Sequence, residues 1–276
     1  MQIKLQIMSI GIQKRKDMYY IKDFEYHMMW DRYNLVWHNL HEDVNVLVGI
    51  NGKGKTTLLD AMNNYYNQKL PTSFFKKYGE DRIWGTHLDS PVYYIQSSDV
   101  PGQAKKKGNS LLYERLISVV LQNEKQDSFF NYRMRALNYP EEKGRIEMRI
   151  EKLFGVINDY FKDSDKHIDI EREKNILVFK EGQDGKTVTL DLLSAGEKQL
   201  LLILLTVFLM DEKPAVLLMD EPEVSLHIEW QEKLIKSLRN LNNNCQLIVT
   251  THSPSIFASG WENNITYIED LYTNGK

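Results

Sequence analysis

A single cysteine, Cys245, is all that this chain contains. No intrachain disulfide can form, and the paired thiolates of a structural zinc site are missing. Cys245 reads as a small buried apolar residue in a strand. Long apolar runs are scarce as well. The longest, Leu200 to Met210 (LLLILLTVFLM), is well short of the roughly 18 residues that cross a bilayer. It reads as a helix buried on most sides. Charge of one sign is not in excess either: 35 Lys and Arg stand against 38 Asp and Glu, a net charge of −3. No global field draws such a chain onto nucleic acid or an anionic membrane, so contact of that kind needs a local patch. The N-terminal MQIKLQIMSIGIQKRK alternates apolar and polar residues and lacks the apolar block of a signal peptide. A reducing cytoplasmic setting and no membrane partner are expected.

What is present is an α/β pattern. Residues 2–12, YYIKDFEYHMMW and YNLVWHNL are strand-like, rich in aromatic and β-branched residues. DVNVLVG then runs directly into GINGKGKTT, and KTTLLDAMNNYY follows with helical spacing. SPVYYIQSS reads as a further strand, and residues 111–162 as helices. Residues 166–192 return to strand-like runs around a turn. After them a helix (195–211), a strand (214–220), a helix (226–241) and a strand (245–250) alternate as in a parallel α/β sheet.

The stretch Gly49 to Thr57 fits the phosphate-loop pattern G-x-x-x-x-G-K-[ST] and sits between a strand and a helix. Backbone amides of residues 51–56 and the helix N-terminus can wrap triphosphate oxygens. Lys55 would reach the β- and γ-phosphates, and the Thr56 hydroxyl would ligate Mg²⁺. AVLLMDE, Ala215 to Glu221, is an apolar strand ending in two acids. Asp220 is the candidate Mg²⁺ partner and Glu221 the group that polarises an attacking water. The other reading makes both of them solvated strand-end residues. Ser194, before the apolar helix, can cap it with Glu197 at the third helical position, and the cap can double as a second anion site. His252, after QLIVT, and Gln96, after VYYI, are polar strand-end residues that can also reach a γ-phosphate, Mg²⁺ or water.

Gly-rich loop, glutamine, LSAGEKQLL, MDEPEVSLHIEWQ and TTHSP occur in that order. Together they resemble the ABC-type ATPase superfamily across nearly the whole chain. That resemblance makes Gly49, Ile50, Asn51, Gly52, Gly54, Lys55, Thr56 and Thr57 the Walker A contacts. Gln96 becomes the Q-loop residue, a metal and catalytic group. Ser194, Ala195, Gly196 and Glu197 become the signature, Met219–Glu221 the end of Walker B, Val224–His227 the D-loop region and His252 the switch histidine. The signature glutamate, Glu223 and Thr251-His252-Ser253 resemble the branch holding RecF, the SMC and OLD families, and small ATPases of bacterial defence islands.

The resemblance implies an α/β P-loop head with a mainly parallel core sheet, an N-terminal antiparallel β subdomain and a helical insert. One domain is expected over 1–276: an N-terminal β region with Walker A (1–69), a Q-loop region (70–110), the insert (111–165), and the signature, Walker B, D-loop and switch histidine (166–276). Without long coiled coil or Toprim domain, its effector would be another polypeptide. ATP and Mg²⁺ would join two heads head-to-tail as a homodimer or higher oligomer, Glu221, His252, Lys55 and Gln96 acting in slow hydrolysis. The switch would control a nuclease or toxin in anti-phage defence. A DNA-repair or chromosome-maintenance ATPase that binds DNA directly is the alternative, and a transporter subunit a further one. Lys105–Lys107, Arg133 and Arg135 are candidates to touch nucleic acid or an effector protein, and the lysines also read as a solvated loop. Lys53, unusual at its position, points outward or adds charge near the phosphates.

Overall fold

A computed structural model of the chain describes residues 18–69, 82–96, 110–121, 127–171 and 176–273. The strand expected at residues 2–12 and the lysines at 105–107 lie outside the described residues. Five parallel strands form the central sheet, in the order β11-β3-β10-β9-β5. They are β3 (Val44–Val48), β5 (Val92–Ile95), β9 (Ala215–Asp220), β10 (Cys245–Thr250) and β11 (Ile265–Tyr267). Every residue of β9 and β10 is buried, as expected of strands covered on both faces.

Alternation divides the sheet's side chains between two cores. Val216, Leu218 and Ile248 face α1 (Lys55–Tyr66) and an antiparallel sheet. Ala215, Leu217, Met219, Leu247 and Val249 face the helical side. The antiparallel sheet orders β12-β2-β1-β4, from β1 (Phe24–Met29), β2 (Tyr33–Trp37), β4 (Ile83–Gly85) and β12 (Tyr272–Thr273). This is the expected N-terminal β subdomain, completed by β12 from the other end of the described chain. A third sheet is the meander β6 (Lys166–Glu171), β7 (Ile176–Glu181) and β8 (Lys186–Val188).

Among the described residues three α-helices lie between β5 and β6: α2 (Leu111–Val120), α3 (Phe129–Asn138) and α4 (Lys143–Phe161). They pack on α5 (Ala195–Leu209), the helix built from the long apolar run, and α4 also touches α6 (Ile228–Leu241). Helix α5 stops two residues earlier than its sequence implies. Asp211 and Glu212 take consecutive left-handed conformations (φ 55° and 58°) ahead of Pro214, which ends the helical ladder.

That turn is where the insert grips α5. Arg145 approaches both Asp211 oxygens, at 2.8 and 3.1 Å, and Tyr132 donates its hydroxyl at 2.9 Å. Arg135 and Arg149 stand 3.4 Å from the same carboxylate, and Arg149 donates to the Phe208 carbonyl at 2.8 Å. Arg135 also pairs with Glu142, so it is a structural group rather than a surface cation for nucleic acid. Burial alone would raise the pKa of Asp211; the bonds from Arg145 and Tyr132 and the charge of Arg145 and Arg149 outweigh it and hold the group at about 2.

Asp211→Asn leaves three arginines around a neutral amide and is expected to cost about 3 kcal/mol. In calorimetry that is roughly 6–12 °C of Tm. The folded pKa is depressed, so the contribution is present above the unfolded value of about 3.9 and lost as pH falls toward the folded one. A variant melting with the wild type at pH 7 would contradict this role.

Candidate nucleotide site

Strand β3 delivers the glycine-rich loop to the C-terminal edge of the sheet, where ligands of open α/β sheets bind. Gly54 caps α1 in the left-handed region (φ 92°), a conformation that glycine adopts without strain. A Cβ there would stand 2.9 Å from Cη2 of Trp30. No side chain caps α1 and its first turn holds no acid, so its free amides face the loop with the positive end of the helix dipole. Asn51, Gly52 and Lys53 are exposed, and Ile50 is 65% exposed. Tyr272 donates its hydroxyl to the Lys53 carbonyl, which fixes the backbone while the lysine side chain stays at the surface.

Lys55 is buried. Its Nζ donates to the carbonyls of Gly49 at 2.9 Å and Ile50 at 3.4 Å, and to Nε2 of His252 at 2.7 Å. Desolvation lowers the Lys55 pKa, opposed by the charges of Glu221, Asp220, Glu269 and Glu223. Within this chain the lysine thus holds the contacts that a phosphate would replace.

Register accounts for the acids. Strand β9 pairs with β10 so that Asp220 stands beside Thr250, and with β5 so that Ile95 stands beside Met219. Asp220 is buried and accepts from the Thr56 hydroxyl at 2.9 Å and the Thr250 hydroxyl at 2.6 Å. Glu221 leaves the strand with φ 46°, an uncommon conformation for a residue with a Cβ, held by its amide's bond to the Thr250 carbonyl at 3.1 Å. Its carboxylate lies 3.3 Å from His252 Nε2. Glu223 accepts from the His252 amide at 2.8 Å, and its other oxygen is buried without a hydrogen-bond partner. So Lys55, Thr56, Asp220, Glu221 and His252 share one cluster. Gln96 sits at its edge, where its amide oxygen accepts from Arg115 at 3.0 Å.

The signature residues stand apart from that cluster. Ser194 caps α5 with its hydroxyl, accepting from the Glu197 amide at 3.2 Å. Glu197, expected among the nucleotide contacts, has both oxygens taken within the chain: by the Ser194 amide at 2.7 Å and by Lys166 at 2.9 Å. Burial raises its pKa, but those bonds outweigh burial and hold the carboxyl below its usual range. Ser194 and Ala195 are exposed, whereas Gly196 is buried beneath the D-loop region. A Cβ on Gly196 would stand 2.2 Å from the Ser225 carbonyl oxygen.

Sequence reasoning missed Trp30, Arg115, Glu223 and Glu269. Trp30 is half exposed on the turn between β1 and β2, beside Gly54. The Glu269 carboxylate would lie 3.0 Å from a Cβ at Gly49. Trp30, Arg115 and Glu269 belong to no local motif; the fold brings each of them to this edge. Only Glu223, inside MDEPE, carried any signal.

A glycine-rich loop, an acid-ended parallel strand and a histidine two residues past the neighbouring strand thus meet at one edge of the sheet. The sequence family described as "AAA domain, putative AbiEii toxin, Type IV TA system" matches residues 92–258, and the chain belongs to it. The "Retron Vc95 probable ATPase" of Vibrio cholerae serotype O1 biovar El Tor is 30% identical over 102 residues, 32% of this chain and 20% of that relative. The chain thus spans about a fifth of that protein's length. An SMC head solved bound to the C-winged helix domain of ScpA matches with TM-score 0.52 and 15% identity, over 87% of this chain and 92% of that one. Stu0660 of Streptococcus thermophilus matches with TM-score 0.52 and 12% identity, over 92% and 76%. At such identities these two likenesses speak for the fold. Among the described residues no helix is long and apolar enough to cross a membrane.

Gly196→Ala is expected to push the Ser225 carbonyl away and destabilise the fold by about 1–3 kcal/mol. Hydrogen exchange should quicken across residues 221–227. Unchanged protection there would contradict the packing.

Proposed function

We propose that this chain is an ATP-driven switch whose two heads close head-to-tail around two ATP molecules and so control a partner effector, a nuclease or toxin, in bacterial anti-phage defence. The single observation that carries the reading is spatial. One end of the molecule gathers Lys55, Thr56, Asp220, Glu221 and His252, while an exposed, capped helix terminus at Ser194 offers an anion site that makes no bond to them. Two-fold symmetry lets that terminus complete the partner's site.

Triphosphate oxygens would replace the carbonyl and imidazole contacts of Lys55 and lie on the amides of residues 49–57, where the helix dipole favours them. Thr56, Asp220 and Gln96 present hydroxyl, carboxylate and amide oxygens, the hard donors that Mg²⁺ takes, and the two nearest already touch at 2.9 Å. Mg²⁺ held there would neutralise phosphate charge. Glu221, aimed by its left-handed backbone, takes the proton of the attacking water, and His252 steadies the γ-phosphate. Trp30 offers a flat apolar face for the base. From the partner, Ser194, Ala195 and the helix amides meet the γ-phosphate; Glu197 keeps the terminus rigid. Ile50, Leu192 and Ile228, 65%, 67% and 56% exposed, flank the loop, the signature and the D-loop region, and closure would bury them.

The defence reading draws support from the retron relative and the toxin family. No described feature favours direct DNA binding over it, since Arg135 is committed to Asp211 and Glu142.

Glu221→Gln is expected to slow ATP hydrolysis by about 10²–10⁴-fold, as loss of a general base does. It should also accumulate an ATP-bound dimer in analytical ultracentrifugation. Hydrolysis at the wild-type rate would overturn the assignment of the base, and a monomer at saturating ATP and Mg²⁺ would overturn the closure. Expressed with its chromosomal neighbours, the chain should lower phage plaque counts, and Lys55→Ala should abolish that. Equal counts with and without the chain contradict the defence reading.

A further inference from the structure

Among the described residues, an arginine of the insert bonds to an edge residue of the proposed nucleotide site. Helix α2 carries Arg115, whose Nη2 donates at 3.0 Å to the amide oxygen of Gln96. Gln96 directly follows β5, one residue beyond the Ile95–Met219 pair, so it stands next to Asp220 at the sheet edge. Its amide oxygen is the atom suited to a divalent cation, and in this structure that atom is turned to a guanidinium.

An amide oxygen has two lone pairs, so geometry alone would let it serve both partners. Charge forbids it: a guanidinium and a dication on one oxygen repel strongly in a partly buried setting. Arg115 is half buried and lines a cavity of about 470 Å³ with Tyr93, Tyr94, Asp127 and Thr206, so solvent screens it only in part. Helix α2 also packs along α5, the helix whose N-terminus is the signature. A shift of α2 therefore moves the arginine relative to Gln96 and bears on α5 in the same motion.

We propose that Arg115 is a positioning residue that competes with the divalent cation for the Gln96 amide oxygen, so that the position of α2 sets how tightly the site takes that cation. The proposal rests on the nucleotide-site reading above. It makes the insert the control surface: whatever displaces α2 releases Gln96 and primes the site, and whatever fixes α2 keeps it idle.

The test uses Mn²⁺ as the probe, with free Mn²⁺ read by electron paramagnetic resonance in the presence of the full-length chain and a non-hydrolysable ATP analogue. Arg115→Met should tighten Mn²⁺ binding about tenfold, and Arg115→Gln, which keeps polarity, should tighten it likewise. Arg115→Lys should return affinity toward wild type. In a Gln96→Ala background Arg115→Met should change nothing, because the effect passes through Gln96. An equal gain in the Gln96→Ala background, or unchanged or weaker binding in both Arg115→Met and Arg115→Gln, overturns the proposal. A wild-type chain that binds neither the analogue nor Mn²⁺ overturns the nucleotide-site reading with it. Wild-type binding beside unresponsive Arg115 variants overturns the latch alone.

Discussion

Asp220 is the point on which the functional end of this molecule is assembled. It closes the fully buried strand β9, and its two oxygens take hydroxyls from two other elements: Thr56 on the helix after the glycine-rich loop and Thr250 at the end of the neighbouring strand. A buried carboxylate is costly unless hydrogen-bonded, so it constrains the parts around it. The parallel register that puts Asp220 opposite Thr250 also puts His252 two residues beyond the sheet, against Lys55 and Glu221. The arrangement of Glu221, Lys55 and His252 follows from strand pairing more than from loop conformation.

The signature helix links this edge to the rest of the chain. At its N-terminus a reciprocal Ser194–Glu197 cap is tied by Lys166 to the three-stranded meander. At its other end Asp211 is gripped by arginines of the insert. Between them the helix is buried almost throughout. A rod fixed at both ends transmits displacement instead of absorbing it. In the proposed switch an event on the insert would thereby reach the Ser194 terminus, and through Arg115 it would reach Gln96 as well.

Much of this was legible in the sequence, for a physical reason. The phosphate loop, the acid-ended strand, the capping box and the β10–His252 run are local patterns, in which neighbouring residues dictate their own backbone. Helix α5 and the strands β9 and β10 emerged within a residue or two of their predicted limits. What stayed hidden was set by contacts distant in the chain. The pairing of β12 with β2 and of β11 with β3 brings Tyr272 and Glu269 to the phosphate loop, and nothing near those residues announces it. Nothing in the sequence around Arg115 marks it, and the fold sets it on Gln96. Arg135 looked like a surface cation until Asp211 claimed it.

The central claim is that each ATP site is built from two chains. The most direct measurement mixes two variants, each inactive alone: Lys55→Ala, with a disabled phosphate loop and an intact signature, and Ser194→Arg, with the reverse. A head-to-tail pair of one of each has one site made wholly of intact parts. Random pairing then predicts ATP hydrolysis near a quarter of wild type, roughly, from two-fold statistics. A mixture as inactive as its components would contradict a site shared between chains.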